Sequence, residues 1–440
     1  MDYKIVVVIG GGKGAVRHIE ALKPFCWSDI KVIVPMSDTG GSTGRIAQDL
    51  DTSPWGDTRR VLVALAPRGS LMGRLFEFRF PKVDRSDGEV VSVECWDEYA
   101  RQLVARAEPQ ARFSRVFNHR FSGHPLEPFR HILGFRDRLY SGKLLGSIIL
   151  SALSALEGDS IRGLEAAATL LGLVPRQYSD IEQQMAGSCC PMQVVMPSRE
   201  VVGNLILTAL DEIEDDFDEA IRSAARLLDT RGAVYPCSRE RLTLRAYLRG
   251  GGYLEGQSRV SHDETRKSQI ERVMLLGTSK VPEYEYDTNP DANSYAVRAI
   301  EEADTIFIGP GALHASILAS VIVPQIARAL SSSRARKVYW LNTGIRWEET
   351  RGFGPEDHVR AVLGHVQGIK IDLVVVNNRY PVVPPEVELL RWDEDLICGI
   401  PVLSADLIDD SDVEGESFYL HDSEKIRAIL PQILQRSDAR

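Results

Sequence analysis

The sequence predicts an α/β fold: a Rossmann-like, three-layer, doubly wound and mostly parallel sheet that carries a helical insertion and a β-hairpin. Three observations lead to this prediction. The chain begins with a strand, a glycine turn, a helix and a second strand, in that order. Strand and helix patterns alternate again after residue 200. Glycine-containing loops follow three of the predicted strands, an arrangement typical of parallel sheets with crossover helices.

The N-terminal elements are predicted from hydrophobic pattern and glycine content. Lys4–Ile9 is a continuous apolar run rich in Val and Ile, which is typical of a strand buried on both faces. Gly10–Gly14 form a glycine turn, Ala15–Leu22 a helix, and Ile30–Val34 a second strand. A second loop of small residues, Ser37–Gly44, follows that strand.

The following segment differs in character. Its glycines are sparser, and it is predicted to be helical at Trp96–Arg106, Leu126–Leu139 and Ile161–Leu173, with a loop at Ser188–Pro197. We therefore expect a mostly helical insertion or cap at residues 81–200.

Regular α/β alternation returns after this insertion. Further helices are predicted at Gly203–Ile213, Phe217–Leu228, Asn293–Ala303, Ala315–Leu330, Asp357–Val366 and Ser423–Leu434, a β-hairpin at Leu242–Leu248 and Tyr253–Ser258, and strands at Arg272–Leu276, Thr305–Ile308, Lys337–Leu341 and Leu373–Val376. We expect residues 1–80 and 201–380 to form the Rossmann-like core, and residues 381–440 to form a C-terminal extension that packs on it.

Composition narrows the class of protein. The 440 residues carry 52 basic and 62 acidic side chains, a formal net charge of −10 with His neutral, which disfavours a general nucleic-acid binder. The N-terminal apolar stretch lacks the features of a signal peptide, and no run approaches the length of a membrane helix. The six cysteines are scattered and include no CxxC pair, as in proteins with reduced thiols. We expect a cytoplasmic protein without nucleic-acid or membrane partners.

Three glycine loops are candidate phosphate sites, because glycine lets an anion approach backbone N–H groups at a helix N-terminus. The carboxyl ends of parallel strands meet at one edge of a sheet, so we expect these loops to lie together. For the first loop, two alternatives to a phosphate site remain. It could be a tight turn without ligand, or a dinucleotide-binding turn, since it weakly matches the fingerprint GxGxxA. The loops comprise Gly10, Gly11, Gly12, Lys13 and Gly14; then Gly40, Gly41, Ser42, Thr43 and Gly44; and then Gly309, Pro310 and Gly311.

Two carboxylates near these loops are candidate catalytic and metal-binding residues. Asp38 lies in the second loop, two residues before Gly40, and Asp57 precedes an apolar helix at Val61–Ala66. The two could converge on a magnesium ion or on a substrate hydroxyl. Asp57 could equally be an ordinary helix N-cap.

Several motifs together resemble the CofD/YvcK family, which groups 2-phospho-L-lactate transferases with YvcK-type gluconeogenesis factors. The resemblance covers about residues 4–80 and 200–380 and is closer to the YvcK branch. The matching stretches are Gly10–Gly14, Ser37–Arg45, Gly56–Arg59, Leu75–Phe80, Gly203–Leu207, Glu255–Ser258, Ile308–Leu313, Leu341–Asn342, Glu349–Gly352 and Val376–Asn378.

The resemblance implies a ligand with a diphosphate group. The first two loops would contact this group, with Gly203, Asn204, the third loop and Asn342 nearby. His314, just after the third loop, would contact a base or sugar, or would pack at the start of the next helix. Arg346 and Glu349 are further candidates for contact with substrate or with residues that touch it. A homodimer is also implied.

Departures from the family pattern decide between functions. Asp38 is followed by Thr39 where the family usually has a second acidic residue, and Lys13 replaces a usual threonine. We therefore expect a binding protein for nucleotide-diphosphate sugars of the UDP-sugar type, with a regulatory role in carbon or cell-envelope metabolism. The alternative is a CofD-like, Mg²⁺-dependent transferase that moves a phospholactyl-type group from a guanosine diphosphate donor to an alcohol. Mg²⁺ is the possible cofactor, and no tightly bound organic cofactor is expected.

Overall fold

The chain divides into two compact units in a computed structural model. The first contains Met1–Thr39, Arg60–Leu65 and Arg231–Arg440, and the second contains Gly40–Arg59 and Ala66–Thr230. The insertion predicted at residues 81–200 does not coincide with either unit, and it stays a prediction. The structure describes residues 4–37, 43, 52–79, 96–108, 112–119, 145–186, 201–262, 268–277, 290–384, 387–409 and 420–434.

The first unit is built on an eight-stranded, mostly parallel sheet. Its spatial order is β10-β11-β9-β8-β7-β1-β2-β3, and only the β10–β11 pair is antiparallel. The strands are β1 (Val6–Ile9), β2 (Ile30–Val34), β3 (Ala233–Pro236), β7 (Thr305–Ile308), β8 (Arg336–Trp340), β9 (Leu373–Asn377), β10 (Leu396–Ile397) and β11 (Ile400–Ala405).

A small antiparallel sheet, ordered β5-β4-β6, lies in the same unit. It consists of β4 (Leu242–Leu248), β5 (Tyr253–Glu255) and β6 (Ile270–Gly277). The predicted hairpin is confirmed, but its second strand is shorter than expected. Gly256 has a φ of 91°, and a helix starts at Gln257, so Gly256–Ser258 are not strand.

Helices flank the large sheet, as the predicted three-layer α/β class requires. Those wholly within the first unit are α1 (Gly12–Cys26), α11 (Gln257–His262), α12 (Ser294–Glu302), a π-helical turn (Leu313–Leu318) that continues into α13 (Ala319–Val321), α14 (Pro324–Ser332), α15 (Trp347–Thr350), α16 (Pro355–His365) and α17 (Ser423–Leu434). The helix α2 (Gly56–Leu65) has residues in both units.

The described part of the second unit is mostly helical. Its helices are α3 (Leu71–Glu77), α4 (Asp97–Arg106), α5 (Arg112–Phe117), α6 (Leu145–Glu157), α7 (Ser160–Leu170), α8 (Ser179–Ala186), α9 (Val202–Glu214) and α10 (Phe217–Leu227). The helix predicted at Leu126–Leu139 and the loop at Ser188–Pro197 lie outside the described residues.

The single helix predicted at Ala315–Leu330 is wrong. The chain bends by 76° between Leu313–Val321 and Pro324–Ser332. Pro324 starts the second helix, and Val323 before it is extended, with φ −58° and ψ 127°. Proline disfavours helical backbone in the preceding residue, and the missing N–H is tolerated only in the first turn.

The core of the large sheet follows from the composition of its central strands. Every residue of Val6–Ile9, Thr305–Ile308 and Leu373–Asn377 is buried. These strands read as near-continuous apolar runs because helices cover both faces. The carboxyl ends of Val6–Ile9 and Thr305–Ile308, where the first and third loops begin, therefore extend from fully buried strands.

Candidate functional site

The first glycine loop turns the chain from β1 into α1. Gly10 has a φ of 143° and Gly12 a φ of 66°, conformations that side chains with a Cβ rarely adopt. The N–H of Gly10 donates to the carbonyl of Ile33 at 3.0 Å, which extends the pairing with β2. Gly11 then serves as the N-cap of α1. The loop is thus a tight strand-to-helix turn whose shape depends on glycine.

The third glycine loop packs directly on the first, as the sequence predicted for loops at one edge of the sheet. A Cβ on Gly14 would lie 2.3 Å from the carbonyl oxygen of Pro310, closer than real side chains come. The N–H of Gly11 donates to the hydroxyl of Ser316 at 2.7 Å. The pairing of β1 with β7 places both strand ends side by side, so the two loops form one structural element.

Asn342 fixes the third loop from the end of β8. Its Oδ1 accepts the N–H of Gly311 at 3.2 Å, and its Nδ2 donates to the carbonyl of Gly311 at 2.9 Å. The N–H of Gly309 donates to the carbonyl of Ile9 at 3.0 Å. The role foreseen for Asn342 and the third loop in ligand binding stays a prediction. Its two hydrogen bonds to Gly311 connect Asn342 to the third loop.

A buried carboxylate stands behind the third loop. Glu349 Oε2 accepts the N–H of His314 at 3.2 Å, and Oε1 accepts the hydroxyl of Ser261 at 2.9 Å. Burial raises the pKa of Glu349, while the hydrogen bonds and the charge of Arg346 act in the opposite direction. The carboxylate therefore satisfies backbone N–H groups at the start of the π-helical turn.

His314 itself is buried, and its ring lies edge-on to Phe353 with 5.7 Å between the ring centroids. This geometry is that of a packing residue, the alternative the sequence left open. A contact between His314 and a base or sugar stays a prediction.

Among the described residues, two basic side chains are exposed near the first and third loops. Lys13, the second residue of α1, is exposed, and so is Arg346 before α15. Gly12, Gly311 and Ala312 are half-buried. Backbone at the start of α1 and the side chains of Lys13 and Arg346 are thus accessible, while Asn342 and Glu349 beneath them are engaged in hydrogen bonds to the third loop and the π-helical turn.

The second unit contains its own buried polar network. Asn204 Nδ2 donates to Thr43 Oγ1 at 3.4 Å, and Asn204 Oδ1 accepts Nε of Arg59 at 3.1 Å. Nη1 of Arg59 donates to the carbonyl of Phe76 at 3.3 Å. A Cβ on Gly203 would lie 2.4 Å from that same carbonyl oxygen, so glycine permits the close contact of α9 with α3. The structure thus brings together three of the predicted residues, Thr43, Gly203 and Asn204.

Arg59 is the member of this network that the sequence did not single out as a site residue. It was visible only within the Gly56–Arg59 motif, because nothing in the sequence shows that an arginine in a helix is buried. Asp57 is the second residue of α2 and is buried in its first turn, so it is not the N-cap that the sequence allowed. An acid in the first turn interacts favourably with the helix dipole. The metal-binding and catalytic roles of Asp57 stay predictions.

The remaining predicted residues, Asp38, Gly40, Gly41, Ser42 and Gly44, lie outside the described residues. Within the described ranges, no group of three or more His, Cys, Asp or Glu side chains is placed to hold a metal ion. An Mg²⁺ ion held by one or two carboxylates needs no such group.

No single helix in the described ranges has the length and apolar character to cross a membrane. One bent helix pair, Leu313–Val321 with Pro324–Ser332, is long and apolar enough by length and composition alone.

Known proteins match this chain over most of its length. The family model of the 2-phospho-L-lactate transferase CofD matches residues 6–176 and 196–395. A gluconeogenesis factor from Halalkalibacterium halodurans is 28% identical over 376 residues, 85% of this chain and 78% of its own. A gluconeogenesis factor from Listeria monocytogenes is 27% identical over 393 residues, 89% of this chain and 81% of its own.

Solved structures agree with these matches. The crystal structure of a UPF0052 family member from Bacillus halodurans has a TM-score of 0.61 and 26% identity, covering 98% of this chain and 100% of that one. The similarity to the gluconeogenesis factors and to this structure extends through both units. Together with the matching family model, these findings show that the chain belongs to the CofD family.

Proposed function

We propose that this chain binds a nucleotide-diphosphate sugar of the UDP-sugar type and acts as a regulatory protein in carbon or cell-envelope metabolism. The observation that carries the proposal is the packed pair of glycine loops, with Gly12 and Lys13 accessible at the start of α1. The curated relatives, which are gluconeogenesis factors, support the metabolic part of the proposal.

The chemistry of the first loop suits a diphosphate. Backbone N–H groups point out of a helix N-terminus, and the helix dipole favours negative charge there by about 0.3–1 kcal/mol when exposed. Lys13 adds a full positive charge on a side chain that can reach a phosphate oxygen. Such a site holds the diphosphate without needing a tightly bound metal.

Titration calorimetry tests this proposal with UDP-N-acetylglucosamine, UDP-glucose, GDP and NAD as ligands. We expect binding of the UDP-sugars, and a loss of about tenfold or more in affinity for Lys13→Ala, as for removal of a charge-assisted hydrogen bond. Lys370→Ala is the control, because this exposed lysine precedes β9 and lies at the opposite, amino edge of the sheet. If no UDP-sugar binds at millimolar concentration, the proposal is wrong.

A second function is supported by the description of the matching family model, 2-phospho-L-lactate transferase. In this alternative, Asp38 and Asp57 would hold Mg²⁺ and orient the attacking alcohol, and the bound metal would supply charge stabilisation for the leaving nucleotide phosphate. Binding of GDP that strengthens with Mg²⁺, and that weakens in Asp57→Asn, would favour the transferase. Binding of UDP-sugars with an affinity that Mg²⁺ does not change favours the regulatory function.

The proposal also includes a cytoplasmic homodimer, as implied by the family resemblance. Light scattering on a sizing column measures this directly. A mass near twice 48.9 kDa is expected, and a mass near 48.9 kDa at micromolar concentration would exclude a stable dimer.

A further inference from the structure

The buried carboxylate of Glu349 connects three elements that meet behind the third loop. Glu349 lies in α15, its Oε1 accepts the hydroxyl of Ser261 from α11, and its Oε2 accepts the N–H of His314 in the π-helical turn. The side chain is 1% exposed, so no solvent replaces these contacts. A buried carboxylate in this position is costly unless its hydrogen bonds are kept.

The turn that Glu349 holds also holds the first loop. Ser316, two residues after His314, accepts the N–H of Gly11 through its Oγ at 2.7 Å. Gly11 and Ser316 are 305 residues apart in the chain, and both are buried at this contact. A displacement of the start of the π-helical turn therefore moves the acceptor on which the N-cap of α1 depends.

We propose that Glu349 is a positioning residue of the ligand site: acting through the turn His314–Ser316, its carboxylate holds the first glycine loop in the shape that receives the diphosphate. This inference rests on the proposed function, because it assigns Glu349 to the same site. Glu349 makes no contact with the ligand in this assignment. Its carboxylate holds the N–H of His314, which fixes the turn His314–Ser316, and the hydroxyl of Ser316 in that turn holds the N–H of Gly11.

A mutant cycle separates this role from a general contribution to folding. Glu349→Ala and Ser316→Ala should each weaken UDP-sugar binding by about tenfold, as expected when a buried N–H loses its partner. If Glu349 acts through Ser316, the double variant should lose little more than either single variant. Glu349→Gln should restore binding to within about threefold, because its amide can accept from His314 and contact Ser261. Glu348→Ala, a half-exposed neighbour in α15, should bind as wild type.

Hydrogen exchange measures the coupling between Glu349 and the first loop in the ligand-free protein. We expect the peptide containing Gly10–Gly14 to exchange faster in Glu349→Ala and in Ser316→Ala, but not in Glu348→Ala. If Glu349→Ala does not fold, Glu349→Met replaces it in both measurements, because methionine fills a similar volume and has no oxygen to accept the N–H of His314. Faster exchange at Gly10–Gly14 is expected for that variant as well.

The outcomes for the two proposals are distinguishable. Failure of wild type to bind any nucleotide would overturn the proposed function, while the exchange data would still decide whether Glu349 orders the first loop. Additive losses in the cycle, or unchanged exchange at Gly10–Gly14 in folded Glu349→Ala, would overturn the role of Glu349 even if UDP-sugars bind.

Discussion

Replacing Gly14 by alanine tests whether the two glycine loops form one packed element. Alanine in a helix interior normally stabilises by about 0.5–1 kcal/mol relative to glycine. Here the new Cβ would lie 2.3 Å from the oxygen and 2.9 Å from the carbon of the Pro310 carbonyl. The neighbour is backbone, held by Asn342 through Gly311, so it has little freedom to withdraw.

The expected cost follows from these distances. Overpacking of a core by one methyl group costs about 1–3 kcal/mol, which exceeds the gain in helix propensity. We expect Gly14→Ala to lower the free energy of unfolding by about 2 kcal/mol and to weaken diphosphate binding, because relief of the clash separates the loops.

Gly364 provides a matched control in the same unit. It lies in α16, and a Cβ there would meet nothing within 4 Å. Gly364 is the penultimate residue of α16, where helix propensity counts less than in the interior, so Gly364→Ala should raise stability by up to about 0.5 kcal/mol. Denaturant titration followed by circular dichroism compares the two variants at unchanged m-value. The reasoning is refuted if Gly14→Ala is as stable as wild type, or if both variants shift stability in the same direction.

Three further perturbations have definite expected outcomes. His358 and His421 are buried, and burial lowers the pKa of each from 6.5 to about 4. As the pH falls, the unfolded chain therefore binds protons at these residues before the folded chain does. The free energy of unfolding should decrease as the pH drops from about 6.5 towards 4. Thermal unfolding across that range checks this, and replacing both residues by Leu should make the slope shallower, while His18 and His365, whose pKa values burial also lowers, keep part of it. Gly203→Ala should destabilise by about 1–3 kcal/mol through its clash with the Phe76 carbonyl, measured against Gly364→Ala. Asn342→Ala should cost about 1–3 kcal/mol because two hydrogen bonds to the third loop are lost, and a normal unfolding midpoint would contradict that account.

Elements with a strong local signal were predicted closely. The run Ile30–Val34 and the periodic segment Ser423–Leu434 form the strand and the helix expected at those bounds. A continuous β-branched run or an amphipathic period is a property of the segment itself, so no tertiary information is needed to recognise it. The placement of the first and third loops at one sheet edge followed from strand polarity, which the strand–helix alternation indicates.

Elements that depend on tertiary pairing were missed. β3 has four residues, ends in Pro236 and lies at the edge of the large sheet beside β2. β10 has only two residues at the other edge, and β11 lies between β10 and β9 but is mostly half-buried or exposed, so neither shows a clear hydrophobic pattern. The buried contacts of Glu349 and Arg59 were equally invisible, because burial of a charged side chain is decided by distant parts of the chain.

The way α1 is held decides what can discriminate between ligands. Its N-terminal turn is fixed by Ser316 and by the contact of Gly14 with Pro310. Its body is tied to the C-terminal region, because Arg17 Nη2 lies 2.6 Å from Asp409 Oδ2 and Arg427 Nη2 donates to the carbonyl of Glu20 at 3.1 Å. A helix held at both places offers a preformed turn, so under the proposed function little ordering entropy would be lost on binding a diphosphate. Diphosphates of different nucleotides should therefore gain similar free energy at this turn, and preference for one base or sugar must arise from contacts beyond the diphosphate.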